Sequence, residues 1–421
     1  MDPATAAALT SPSVSSIIRD LPDYDSDRAL EIGSRLRKLE LDRDLIAAIQ
    51  TQLALRAPLR AKLGDKSEGF LATRAGAEQA TRWPVAALRA RAFAASGATT
   101  VADLTCGLGV DTLALAAAGL SVTAFEIDEA TATLARHNAR DYGCVHVLHG
   151  DGLAADLSGI DAIFADPARR TESGARINDP EQYGPPLSDV WALRERAELR
   201  VLGVKVGPGI AHRDVPADAR AEWLSVDGDV VEATLWWTPG GMPDLPHRAL
   251  IARSSQGDPL AELTVGSLAG FPDEDSRAPR LDVATAADLG EFLAEPDGAI
   301  IRAHLLGTLA EKAAGDSSMN GRARLISPRI AYLTANEPLP HSRNYRIVDV
   351  LPFHIKKLSG YLRTRGVGSV TIKKRGVEAT PEQVRRQLRL SGDHEATLVL
   401  TRIAGQHRAI VVEPAEGGND Q

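Results

Sequence analysis

Residues Val101 to Thr112 read VADLTCGLGVDT, an apolar run that ends in an acid, breaks at Gly107-Leu-Gly109 and resumes as a helix-like stretch from Asp111. Glycine carries no Cβ, so a strand that turns through Gly107 and Gly109 brings bare backbone within contact distance of a ligand. The helix that begins directly after the turn adds free N–H groups and its positive dipole end at the same spot. These residues describe a strand, turn and helix built around a nucleotide-type cofactor.

A dinucleotide fingerprint needs a third small residue shortly beyond Gly-x-Gly to pack helix on strand around a pyrophosphate. Here Val110, Asp111 and Thr112 follow instead. Asp103 and Asp111 flank the turn and would repel a pyrophosphate, whereas a cationic sulfonium with an amino-acid tail is not repelled. A second strand, Ser121 to Asp128, ends in acids, with Glu126 seventeen residues past Gly109. An acid at the carboxyl end of the second strand of an open α/β sheet binds ribose hydroxyls. Asp103, Gly107, Gly109 and Glu126, followed by Asp151 and Asp166-Pro167, resemble the class I S-adenosylmethionine-dependent methyltransferases, over roughly Ala98 to Pro239. The resemblance implies S-adenosyl-L-methionine as cofactor, held by Asp103, Thr105, Gly107, Gly109, Glu126, Asp128, Asp151 and Asp166. No metal is expected. Asp151 stands where this fold places an acid at the adenine amine, and it equally suits a helix N-cap.

The chain has 421 residues, room for two or three domains. At 44% hydrophobic and 25% charged it is near the globular average, so no large disordered share is expected. Cys106 and Cys144 are the only cysteines, which argues against a disulfide framework and fits a reducing cytosol. The Met-Asp-Pro-Ala-Thr start lacks the basic region of a signal peptide. Val101 to Phe125 is apolar enough to mimic a membrane span, but Asp103, Asp111 and three glycines interrupt it. A soluble, cytoplasmic protein with no membrane contact is expected.

The expected fold is α/β: a Rossmann-like seven-stranded methyltransferase sheet with an N-terminal helical region and a smaller α+β C-terminal domain. The boundaries read 1–97 for the helical region, 98–240 for the methyltransferase domain, 241–341 for a connecting lobe and 342–415 for the C-terminal domain. Leu45, Ile46, Ile49 and Leu53 follow helical spacing, Pro58 marks a helix end or first turn, and a further helix covers Pro84 to Ala95. Strands are expected at 100–105, 121–126, 145–148, 161–165, 200–206, 222–227 and 230–237, with helices between the first five and a hairpin turn at Asp227-Gly228-Asp229. The 241–341 region is rich in Pro, Gly and Asp, with helix-like pieces near 286–294 and 298–313. The last unit, with Leu351-Pro-Phe-His-Ile-Lys-Lys357 and Ile372-Lys-Lys-Arg-Gly376, resembles the THUMP-like C-terminal module of bacterial methyltransferases of unassigned substrate. THUMP domains proper bind RNA, so the resemblance points toward RNA through likeness of shape.

Charge is unevenly placed. The net charge is −8, yet from residue 342 onward 14 Lys/Arg face 8 Asp/Glu, a local balance of +6. Between 343 and 389 twelve basic residues face only Asp349, Glu378 and Glu382. Such an excess suits phosphate contact better than a merely solvated surface.

Ile160 to Ala165 reads as a strand that delivers Asp166-Pro167-Ala168-Arg169-Arg170 to the carboxyl edge of the sheet. In methyltransferases that act on exocyclic amines of bases, this position commonly reads Asn/Asp/Ser-Pro-Pro-aromatic. Asp166 and Pro167 fit that pattern; Ala168 and Arg169 depart from it, so stacking on the base falls to another group, such as the Arg169 guanidinium. Pro-Ala-Arg also resembles the Pro-Pro-Arg of uracil C5 methyltransferases, but those need a nucleophilic cysteine after the fifth strand, and neither cysteine lies there. Ribose 2′-O methyltransferases combine an acid here with a Lys on the fifth strand and a Glu near the last, an order matched by Asp166, Lys205 and Glu232. The candidate catalytic residues are Asp166, Pro167 and Lys205. The leading expectation is methyl transfer to RNA at a nucleobase amine. The alternatives are ribose 2′-O transfer, transfer to a small molecule or protein, and a non-catalytic cofactor-binding module. The sequence leaves the oligomeric state open.

Overall fold

The computed structural model describes residues 1–24, 29–170, 174–240, 244–255, 263–314 and 322–415. Before the first strand come α1 (Pro3–Thr10), α2 (Pro12–Asp20), α3 (Ala29–Arg37), α4 (Arg43–Leu63), α5 (Arg74–Gln79) and α6 (Trp83–Ala95). Asp2 and Ser11 cap α1 and α2, and each cap is followed by a proline at the first helical position, where its missing N–H costs nothing. Pro58, expected to end or open a helix, instead sits inside α4, which continues to Leu63. The reason is burial: Leu55, Leu59 and Leu63 lie in the core on both sides of the proline. Each contributes about 1.5–3 kcal/mol, against a cost of about 3 kcal/mol for an interior proline.

The first sheet follows as β1 (Thr100–Asp103), α7 (Val110–Ala117), β2 (Ser121–Glu126), α8 (Glu129–Asn138), β3 (Val145–His149), β4 (Ala162–Ala165), α9 (Leu187–Ala192), β5 (Val201–Val206), β6 (Arg220–Val226) and β7 (Asp229–Trp237). Parallel pairing runs β3-β2-β1-β4-β5, and β7 lies antiparallel against β5. This is the expected Rossmann-like arrangement, but among the described residues the sheet has nine strands where seven were expected. The strand order reverses between β1 and β4, and such a switch point opens a crevice at the carboxyl ends, where ligands of open α/β sheets bind. Asp227 and Gly228 both take positive φ, as the two-residue hairpin turn between β6 and β7 requires.

The helix expected between β3 and β4 does not form. Residues 150–161 make turns and bends. Gly150, Gly152 and Gly159 fall in this short span and disfavour a helix. Gly152 also packs so tightly on Leu104 that a Cβ would stand 2.7 Å from its carbonyl oxygen.

One apolar core runs from Ala6 and Leu9 of α1 through Leu53 and Phe93 to Val101, Ala124 and Leu134. The N-terminal helices therefore share the core of the sheet. Two buried amides stitch the segment after α4 to its neighbours. Gln52 exchanges two hydrogen bonds of 2.9 Å with the Ala72 backbone. Asn138 accepts from Leu71 N–H at 2.8 Å and donates to the Leu71 and Leu108 carbonyls at 3.0 Å. Both buried amides thus find hydrogen-bond partners.

The remaining elements are β8 (His247–Ser254), β9 (Leu263–Gly270), β10 (Phe292–Pro296), α10 (Gly298–Arg302), α11 (Leu306–Ala314), β11 (Arg324–Ser327), β12 (Ile330–Ala335), β13 (Ser342–Pro352), α12 (Ile355–Arg363), β14 (Val367–Lys374), α13 (Pro381–Leu388), β15 (His394–Ile403) and β16 (Gln406–Pro414). A seven-stranded sheet has the order β11-β12-β10-β13-β16-β15-β14. It draws three strands from within 241–341, a region of which 241–243, 256–262 and 315–321 lie outside the described residues. The helix expected near 286–294 is absent. The Asp288 carboxylate accepts from the Thr285 N–H and hydroxyl to form a turn, and β10 then pairs with β12 and β13. The single helix expected over 298–313 is two, because His304 takes a positive φ that breaks the run. Leu358, Leu362, Val384 and Leu388 of α12 and α13 pack on Val370, Ile372, Leu398 and Leu400. Thr380 and Gln383 close a full capping box at the start of α13.

Candidate active site

The glycine turn is held from both sides. Gly107 and Gly109 take φ of 53° and 91°, a region that favours glycine over residues with a Cβ. The Gly107 N–H donates to Glu126 Oε2 at 3.0 Å, and the Asp128 N–H donates to Oε1 at 2.9 Å. Each carboxylate oxygen keeps a further lone pair. Ile127, next to Glu126, is 73% exposed and sets an apolar side chain beside the acid. Asp128 caps α8 by accepting from the Thr131 N–H and hydroxyl; the hydroxyl bond, with burial opposing, holds its carboxyl below the ordinary value. Asp151 is exposed and accepts from Leu153 N–H at 2.9 Å.

Asp103 lies beneath this turn. It is 0% exposed, accepting from the Thr112 hydroxyl at 2.5 Å and from Thr105 N–H at 3.3 Å. Burial pushes its carboxyl up to about 7 despite the Thr112 bond. Thr105 in turn accepts from Asp166 N–H at 2.7 Å, linking the turn to the end of β4. Cys106 is buried, and burial pushes its thiol well above the ordinary value, so it is no ready nucleophile.

The second cluster forms around Asp166. Lys205 of β5, 6% exposed, donates from Nζ to Asp166 Oδ2 at 2.7 Å and to Thr81 Oγ1 at 2.9 Å. Burial opposes charge on both groups. For Asp166 the Lys205 ammonium outweighs burial and holds the carboxyl below its ordinary value. For Lys205 the Asp166, Glu232 and Asp111 carboxylates outweigh it and raise the ammonium. Both are therefore charged at neutral pH. The Asp166 side chain is 28% exposed, and among the described residues no donor reaches its Oδ1. Pro167 is buried, while Ala168 pairs with Gly184 and Arg170 with Arg176 in the loop that follows. Arg169 adds its positive charge near Asp166.

The polar chain extends beyond the residues singled out in the sequence. The Thr81 hydroxyl donates to Asp111 Oδ2 at 3.0 Å, and Arg89 of α6 pairs with Asp111 Oδ1. Arg89 Nη2 also meets both Glu232 oxygens, at 2.5 and 2.6 Å. Glu232, expected beside Lys205 in the ribose scheme, is 5% exposed and has both oxygens engaged by Arg89. Thr81, Arg89 and Asp111 carried no catalytic signal, because only the fold brings them to Lys205.

In the C-terminal unit the basic residues divide in two. Lys373 and Arg375 reach Glu295 at 2.8 and 3.4 Å, and Arg375 also donates to the Ala331 carbonyl. Two members of the 373–375 cluster are thus tied down within the fold. Lys356 and Lys357 on α12, with Arg386 and Arg389 at the end of α13, are exposed and have no partner among the described residues. The two helices are joined by the Ser359 hydroxyl, which donates to the Leu388 carbonyl at 2.7 Å. No helix among the described residues is long and apolar enough to cross a membrane.

A family described as THUMP domain-like matches residues 342–414. Proteins from two strains of Mycobacterium tuberculosis, each described as an uncharacterized S-adenosylmethionine-dependent methyltransferase, are 29% identical over 372 residues, covering 84% of this chain and 92% of theirs. A crystal structure from Porphyromonas gingivalis W83, described provisionally as a methyltransferase, superposes with a TM-score of 0.72 at 21% identity, covering 94% of this chain and all of its own. That likeness extends the shared fold across nearly the whole chain.

Proposed function

We propose that this chain, a class I S-adenosylmethionine-dependent methyltransferase with a THUMP-like C-terminal domain, methylates RNA at an exocyclic amine of a base. The observation that carries the reading is Asp166: ionised, partly exposed at the switch point, one oxygen fixed by Lys205 and the other free.

The residues present fit the cofactor. The positive-φ glycines remove Cβ atoms from its path, the spare lone pairs of Glu126 suit ribose hydroxyls, Ile127 offers an apolar face to a purine, and Asp151 can accept from its amine. Asp103 and Thr105 support the turn from below. When bound, the cofactor supplies an electrophilic methyl group on a sulfonium. Asp166 Oδ1 accepts a hydrogen bond from the acceptor amine, which localises the nitrogen lone pair, and the same oxygen takes the proton that the methylated nitrogen sheds. Pro167 has its φ fixed and so holds the carbonyl of Asp166 and the following loop in one orientation. Lys205 keeps Asp166 ionised.

The partner reading rests on α12 and α13, whose unpaired Lys356, Lys357, Arg386 and Arg389 suit a phosphate backbone. A cytoplasmic setting is part of the same proposal, in keeping with two free cysteines. The ribose alternative is less well supported, since Arg89 holds the Glu232 it would use.

The test offers a labelled methyl donor to total RNA, to protein and to small-molecule pools. Label is expected in RNA as an N-methylated base, and it should fall at least about a hundredfold in Asp166→Ala, which removes the hydrogen-bond acceptor and the base together. Label confined to protein or small molecules, a 2′-O-methyl product, or no acceptor at all would each contradict the proposal.

A further inference from the structure

Lys205 lies among three carboxylates, Asp166, Glu232 and Asp111, all close enough to raise its ammonium. A four-carbon side chain with three donors has no intrinsic reason to choose among them. What makes the choice is contributed by the segment that precedes β1. Arg89 occupies both oxygens of Glu232 and one of Asp111. Thr81, between α5 and α6, stands between Lys205 and the other Asp111 oxygen. Its Oγ1 accepts from Lys205 Nζ at 2.9 Å and donates its single proton to Asp111 Oδ2 at 3.0 Å. Among the described residues, the carboxylate left in direct contact with the ammonium is Asp166, at 2.7 Å.

We infer that Thr81 is a positioning residue for methyl transfer: it aims Lys205 at Asp166 and makes the N-terminal helical segment a working part of the catalytic centre. The inference rests on the role of Asp166 proposed above, but not on the identity of the acceptor. A hydroxyl suits the position because it accepts and donates at once. Valine has the same shape and does neither; serine does both. With Thr81 silent, Lys205 loses one of its two anchors and is drawn toward Asp111, and Asp166 Oδ2 loses its fixed partner.

The test compares wild type with Thr81→Val and Thr81→Ser by two readouts. In protein labelled with ¹⁵N-lysine, the buried Lys205 ammonium should give a slowly exchanging NMR signal, identified by its loss in Lys205→Met. Thr81→Val should broaden or remove that signal, and Thr81→Ser should keep it. With whichever acceptor pool takes label, kcat should fall about tenfold to a hundredfold in Thr81→Val, the scale of one hydrogen bond to a charged group. KM for donor and acceptor should stay within error, the thermal midpoint should hold, and Thr81→Ser should restore kcat. The NMR arm needs no methyl acceptor, so failure of the RNA proposal leaves it decisive. A Thr81→Val protein that retains the Lys205 signal, or loses it with kcat unchanged, overturns the inference. So does a fall in kcat that serine does not rescue.

Discussion

Around Asp166, five charged side chains are mostly buried and every one is paired: Asp111, Arg89, Glu232, Lys205 and Asp166 itself. On α12 and α13 of the C-terminal unit, Lys356, Lys357, Arg386 and Arg389 stand in water with no partner among the described residues. The difference is one of exposure to water. Ion pairs removed from water cost desolvation and return little net stability, but they hold groups in one arrangement and resist screening. Exposed unpaired cations contribute little to the fold, yet they attract an anionic partner from a distance and respond steeply to salt. The first region suits chemistry and the second suits grip.

That contrast can be broken most visibly in the C-terminal unit. Replacing Lys356, Lys357, Arg386 and Arg389 together with Gln should weaken RNA binding and flatten its dependence on salt. The slope of log affinity against log salt should drop by about 0.7 for each phosphate no longer neutralised, about 3 in all for a single strand. Cofactor affinity and thermal midpoint should not move. Unchanged salt dependence in a gel-shift or anisotropy titration would remove these helices from the interface.

A smaller effect sharpens the rim side. Asp103 carries a folded-state value near 7, above its ordinary 3.8, because burial disfavours the anion. The folded chain therefore holds a proton there that the unfolded chain has released between these values. The stability this contributes is complete below about pH 4 and is lost as pH rises through about 7. Between about pH 5 and about pH 8 the thermal midpoint should fall more in wild type than in Asp103→Asn, which has no such proton to lose. Parallel pH profiles would show that Asp103 titrates normally.

Much of the first sheet could be read directly from the chain. β1, β2, β4 and β5 are apolar runs closed by Asp, Glu or Gly, and the Gly107–Gly109 turn needs residues that tolerate positive φ, so composition and conformation agree there. The carboxylate–lysine pairing of Asp166 and Lys205 also fell on residues already singled out. Glu232 and Asp111 were singled out too, but not the Arg89 and Thr81 that link them, because such pairings are remote in the chain: Arg89 and Glu232 stand 143 residues apart. The 373–375 run looked like free charge for the same reason, since Glu295 pairs with Lys373 from 78 residues upstream. β10 resembled a helix because Phe292, Leu293 and Ala294 are all buried, which erases the alternation that marks a half-exposed strand. Pro58 misled because local propensity yields to core burial.

The central claim is that the methyl donor sits at the carboxyl rim with its sugar on Glu126. Calorimetric titration of S-adenosylhomocysteine into wild type and Glu126→Ala, each confirmed folded by its thermal midpoint, tests it most directly. Binding should weaken about tenfold to a hundredfold in the variant, the scale of hydrogen bonds to one charged group, with RNA affinity unchanged. Equal affinity in the two folded proteins would contradict it.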